Sequence, residues 1–93
     1  MAKFLVIHTV DPKIFVTDPS FAVQRKIIAG MTPEAQCISS WLARGAGKTA
    51  CEWEATSEQA IIDVLANVPE LPVEGIYPME VIDWAELKKA LGM

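Results

Sequence analysis

From Lys48 to Ala55 the chain alternates without a slip. Thr49, Cys51, Trp53 and Ala55 take one side, and Lys48, Ala50, Glu52 and Glu54 take the other. An apolar side and a charged side at a period of two predict a half-buried β-strand. The preceding run, Ala35 to Arg44, carries Ile38, Trp41 and Leu42 among small polar residues, and Gly45-Ala46-Gly47 separates the two runs. Glycines tolerate the positive φ that tight turns demand, so 35–56 reads as a β-hairpin whose register the pattern leaves open.

Residues 3–10, KFLVIHTV, predict another strand, with Phe4, Val6, His8 and Val10 on one face and Lys3, Leu5, Ile7 and Thr9 on the other. Both faces are largely apolar, which places this strand in the middle of a sheet. Asp11-Pro12 turns the chain and Lys13 to Thr17 links onward. Asp18 as N-cap and Pro19 as first helical residue then open a helix that carries Val23, Ile27 and Ile28 and ends near Gly30. A second helix is capped by Thr56 or Ser57, with Gln59 as the capping-box partner of Thr56. Its apolar face is Ala60, Ile61, Val64, Leu65 and Val68, and Pro69 stops it. Pro72 to Ile82 is extended, but Pro78 cannot donate to a ladder, so the strand lies at an edge or contains a break. Asp83-Trp84-Ala85-Glu86 opens a short C-terminal helix through Leu91, which Gly92 closes.

The order β-α-β-β-α-β plus a final helix predicts an α+β, ferredoxin-like fold over a single domain, 1–93. Two helices would cover one face of a four-stranded antiparallel sheet. The other face would be open and partly apolar, which calls for a second copy of the chain, a homodimer. Composition points the same way, since 52% hydrophobic residues is high for 93 residues.

A net charge of −4 and a pI near 4.8 argue against nucleic acid or an anionic membrane as partner. No run approaches the ~18 apolar residues of a membrane span, and no small-residue cleavage site follows the N-terminal apolar run, so a cytoplasmic protein is expected. Gly47-Lys48-Thr49 matches the tail of a phosphate-binding loop, but Leu42 stands where the first glycine belongs and a strand follows in place of a helix. With the turn centred near Ala46, Cys51 faces about Leu42, and Cys37 lies roughly five positions further at ~3.3 Å each, beyond disulfide reach. Two reduced, buried thiols are expected, and neither their number nor their spacing suggests zinc.

Ser40-Trp41, Lys48 to Ala55 and Leu71-Pro72-Val73 carry a resemblance to the dimeric α/β-barrel superfamily of ferredoxin-like proteins. Residues 39–82, about half the chain, resemble small bacterial and archaeal families of that group, one of which contains a nickel-responsive protein. The resemblance implies the fold and the dimer. Members include cofactor-independent monooxygenases and lactone isomerases. The nickel association relies on histidines, and His8 is the single histidine of this chain, so no metal and no cofactor is carried over.

His8 titrates nearest neutral pH, and reads either as a core histidine bonded to backbone or as a general acid–base in a cavity between sheets. Glu52 and Glu54 share a strand face, and either would orient His8 if the strands bring them together; the bland reading pairs them with lysine or arginine across the strands. Trp41, Trp53 and Tyr77 line a ligand pocket or pack a core. Two functions follow as expectations: a homodimer that binds a small apolar ligand or a protein partner between its sheets, or a cofactor-independent isomerase or monooxygenase using His8 with Glu52 or Glu54. Neither Cys51 nor Ser39-Ser40 has a context that suggests a nucleophile.

Overall fold

The computed structural model describes residues 1–9 and 21–93. β3 (Lys48–Ala55) is the strand on which the others are laid. It pairs antiparallel with β1 (Ala2–Thr9) from end to end and with β2 (Ala35–Ala43) along its other edge. β4 (Gly75–Pro78) adds antiparallel to the free edge of β1, giving the order β2-β3-β1-β4 and the ferredoxin-like arrangement. β1 is thus central, and β4 is a four-residue edge strand that ends on Pro78, the residue that cannot continue a ladder.

The hairpin turns through a short 3₁₀ segment, Arg44–Ala46, and Gly47, whose φ of 64° is left-handed. Ala43 therefore pairs with Lys48, and Ser40, rather than Leu42, faces Cys51. One irregularity interrupts β2. Ser39 faces Glu52 and Cys37 faces Trp53, so Ile38 is an extra residue with no partner, a β-bulge.

Three helices complete the chain: α1 (Ala22–Gly30), α2 (Glu58–Leu65) and α3 (Trp84–Ala90). The turn at Asp11-Pro12, the linking stretch and the helix start at Asp18 and Pro19 lie outside the described residues. Ser57, not Thr56, caps α2 by accepting from the Ala60 amide at 3.2 Å, and Gln59 bonds Asp63 one turn on instead of completing a box. Asp83 caps α3 through the Ala85 and Glu86 amides.

α1 and α2 lie on one face of the sheet and make its core. Phe4 and Val6 of β1, Cys51, Trp53 and Ala55 of β3, Ile61, Val64 and Leu65 of α2 and Val23 of α1 are buried there, closed by Val68 and Leu71. Ile28, expected on the apolar side of α1, is exposed. Where α1 and α2 meet, a Cβ on Gly30 would come within 3.1 Å of Asn67 and 3.3 Å of Val64, so the approach is one that glycine permits. Among the described residues α3 adds nothing to the buried core: none of its residues is buried and Leu87 alone is half-buried. Among the described residues no helix is long and apolar enough to cross a membrane.

Candidate functional site

Because strand side chains alternate, β1 and β3 each sort their functional residues onto two faces. His8 faces the helices together with Thr49, its partner across the ladder, and is 1% exposed. Glu52 and Glu54 face the opposite way, opposite Leu5 and Lys3. The expected contact between His8 and a glutamate is therefore not formed; the full thickness of the sheet separates them. Lys3 instead takes both carboxylates, Glu52 at 3.2 Å and Glu54 at 3.1 Å, and they raise its pKa. At the other end of that face Lys48 bonds Glu74 and Thr9, each at 2.9 Å.

The imidazole of His8 is held by the chain that follows α2. Its Nδ1 lies 3.0 Å from the carbonyl oxygen of Pro72. A carbonyl only accepts, so Nδ1 carries the proton and Nε2 of the neutral ring is an acceptor. Burial disfavours the charged ring and lowers its pKa below 6.5, partly offset by the Pro72 carbonyl.

His8 forms part of the wall of a cavity of about 360 Å³ between α1 and the covered face of the sheet. Ile27, Ile28 and Met31 give it an apolar roof, and Cys37, Ser40, Cys51 and Trp53 lie across its floor. Trp53, expected at a ligand site with Trp41 and Tyr77, is separated from both by the sheet. It is 1% exposed in the core, and among the described residues its indole Nε1 finds no hydrogen-bond partner. A buried donor left without an acceptor is uncommon and costs stability.

Three polar side chains on this floor form a group that strand counting did not foresee. The Ser40 hydroxyl donates to the Cys51 sulfur at 3.1 Å and lies 3.9 Å from the Cys37 sulfur. Both cysteines are free thiols, Cys37 half-buried and Cys51 buried. The expectation that the two lie far apart fails because of register and bulge. Counted back from Ser40–Cys51 without the extra residue, Cys37 would fall opposite Glu54 on the open face; the bulge at Ile38 returns it to the covered face beside Trp53. The Cys51 thiol, as donor to the Cys37 sulfur, brings the Cys37 thiol down to about 7, against its burial and with help from Ser40. Cys51 moves in the opposite direction, held protonated by Cys37 and by burial. Cys37 is half-buried and Cys51 buried, so water solvates a negative charge better on Cys37.

The open face has different chemistry. Trp41, Ala50, Ile7 and Gly75 face one another in a row across all four strands. The Tyr77 ring lies over Gly75, where any Cβ would collide with it, and Leu5 is its ladder partner. Trp41 and Tyr77 are both more than half exposed. An apolar band thus runs between the Lys3–Glu52–Glu54 and Lys48–Glu74 ion pairs. Among the described residues no group of three or more His, Cys, Asp or Glu side chains is placed to hold a metal ion.

No family model and no curated protein matches the sequence. Among solved structures the chain is similar to SCO4226 of Streptomyces coelicolor A3(2), with a TM-score of 0.69 over 88% of this chain and 100% of that one, at 15% identity. At that identity the likeness is one of fold.

The lowered pKa of His8 has a consequence for stability. A ring kept neutral in the fold binds its proton more readily once unfolded, so stability present above pH 6.5 is lost as pH falls. Chemical denaturation between pH 6.5 and about 5, above the range where carboxylates dominate, should show a falling unfolding midpoint. A His8→Gln variant should lose that slope. An unchanged slope in the variant would mean that the histidine is not the group responsible.

Proposed function

We propose that the protein is a small homodimeric binding protein of the dimeric α/β-barrel kind, in which two copies bring their open sheet faces together. The observation that carries this is α3. A helix of seven residues does not hold together in water by itself, since isolated helices shorter than ~12–15 residues are marginal. Yet no residue of α3 is fully buried in its own chain, Leu87 alone being half-buried, and Val81, Ile82, Trp84, Leu91 and Met93 in and around it are exposed. The sheet offers the matching surface in the band of Trp41, Ala50, Ile7 and Tyr77, rimmed by ion pairs in the manner of an interface core and its polar rim. Two unpartnered apolar surfaces on one chain are both covered when a second copy supplies the complement of each.

A small ligand has its best place in the cavity beneath α1 rather than between the sheets. Trp53, whose N–H has no acceptor among the described residues, and His8, whose neutral ring can accept, are both lining residues in a wall that is otherwise mostly apolar. A compact apolar molecule with a carbonyl or ether oxygen meets the first demand, and one that also bears a hydroxyl meets both. The proton-shuttle enzyme, by contrast, needed a His8–glutamate contact, and the sheet divides those residues.

Sedimentation equilibrium should return about twice the 10.2 kDa chain mass at micromolar concentration. Trp41→Glu and Trp84→Glu should each raise the dissociation constant by about tenfold or more, the scale of a buried tryptophan anchor. A wild-type protein that is monomeric at tens of micromolar would overturn the dimer. For the ligand, cyclohexanone should shift the Trp53 indole N–H resonance saturably, whereas methylcyclohexane, which lacks an acceptor, should not reproduce the downfield shift. A Trp53 resonance indifferent to both would remove the cavity as a binding site.

A further inference from the structure

We propose that Cys37 and Cys51 form a reversible dithiol–disulfide couple, with Cys37 the attacking sulfur, Cys51 the resolving one, and low-molecular-weight disulfides the oxidant. The inference depends on neither the dimer nor the cavity ligand; it rests on the floor of the cavity alone.

The two residues stand on neighbouring strands and on the same face, in diagonal positions two residues apart along β3, because Cys37 faces Trp53 and Cys51 faces Ser40. The Ser40 hydroxyl touches both sulfurs. Bulges are places where a strand re-aims a side chain, and this one turns Cys37 from the solvent side of the sheet to the side that holds Cys51. A core that needed only two small apolar fillers would have no use for a hydroxyl between them, nor for an ordering in which one sulfur is half-exposed and the other buried. That ordering suits exchange chemistry. The outer sulfur meets the reagent, and the inner one stays protonated until an adjacent disulfide appears.

The chemistry closes without a further reactant. The Cys37 thiolate attacks one sulfur of a disulfide RSSR, forming a Cys37–SR bond and releasing RS⁻, which takes up the proton that Cys37 gave to solvent. The Cys51 thiol then loses its proton and attacks the Cys37 sulfur, forming the Cys37–Cys51 bond and expelling the second RS⁻, which leaves as RSH with that proton. Two protein thiols are oxidised by two electrons and one RSSR becomes two RSH. An attacking thiol is best suited to this reaction when its pKa lies near the ambient pH, which is where the Cys51 thiol brings Cys37. Excess dithiol reverses both steps.

The test is intact-mass spectrometry and peptide mapping of the folded protein after incubation with glutathione disulfide at neutral pH. The couple predicts loss of two hydrogens, no retained glutathione, and a single linked peptide joining Cys37 to Cys51, restored by dithiothreitol. Cys51→Ala should stop at a stable glutathione adduct on Cys37, and Cys37→Ser should take up no glutathione while folded. Should Cys51→Ala fail to fold, the wild-type product still decides. A wild-type protein that keeps glutathione on Cys37, that stays unmodified, or that links only between copies would overturn the couple.

Discussion

The pairing of β1 with β3 is the constraint from which the other features follow. A strand has two faces and no intermediate direction, so fixing His8 opposite Thr49 also fixes Lys3 opposite Glu54. The buried residues of these two strands then point toward the helices, and the charged set points away together with Leu5, Ile7 and Ala50. The same alternation that builds a core of Phe4, Val6, Cys51, Trp53 and Ala55 also prevents a histidine–carboxylate pair across the sheet. Chemistry on this protein is accordingly divided. Neutral donors, acceptors and thiols lie beneath α1, and ion pairs with an apolar band lie on the open face.

Those two faces ask for different occupants. The covered face has a cavity lined in part by His8 and Trp53, and among the described residues the buried Trp53 indole N–H has no acceptor, which is the basis for proposing a small oxygen-bearing molecule there. The open face and the α3 region expose large apolar side chains, Trp41, Tyr77, Trp84 and Leu91 among them, a kind of surface that a partner protein commonly covers. The proposed second copy of the chain would supply both complements at once by symmetry.

Much of this was legible in the residues themselves. The strict alternation of Lys48 to Ala55 gave the correct faces of β3, the apolar character of both sides of KFLVIHTV gave β1 its central place, and Pro78 marked β4 as an edge. Local capping chemistry was readable to within one residue, with Ser57 rather than Thr56 accepting from the first turn of α2. What could not be read was register. A turn that spends Arg44–Gly47 moves Cys51 from Leu42 to Ser40, and a single unpaired Ile38 then reverses the face of every residue of β2 before it. Neither event leaves a local mark, because β2 mixes small polar and apolar residues on both sides and accommodates either alternation. The thiol group was hidden for that reason alone. The separation of His8 from Glu52 and Glu54 was implicit in the alternation of the two strands; adjacency of strands said only that the residues were near in the plane, not that they shared a side.

The bulge at Ile38 is therefore the hinge of the account, and proton–proton distances across β2 and β3 test it most directly. Nuclear Overhauser spectra of protein labelled at cysteine should connect the Cys37 β-protons to Trp53 and Cys51, with none to Glu54. Contacts from Cys37 to Glu54, with Ile38 facing Trp53 instead, would show an unbroken ladder, and would place Cys37 on the open side of the sheet, away from the cavity and from Cys51.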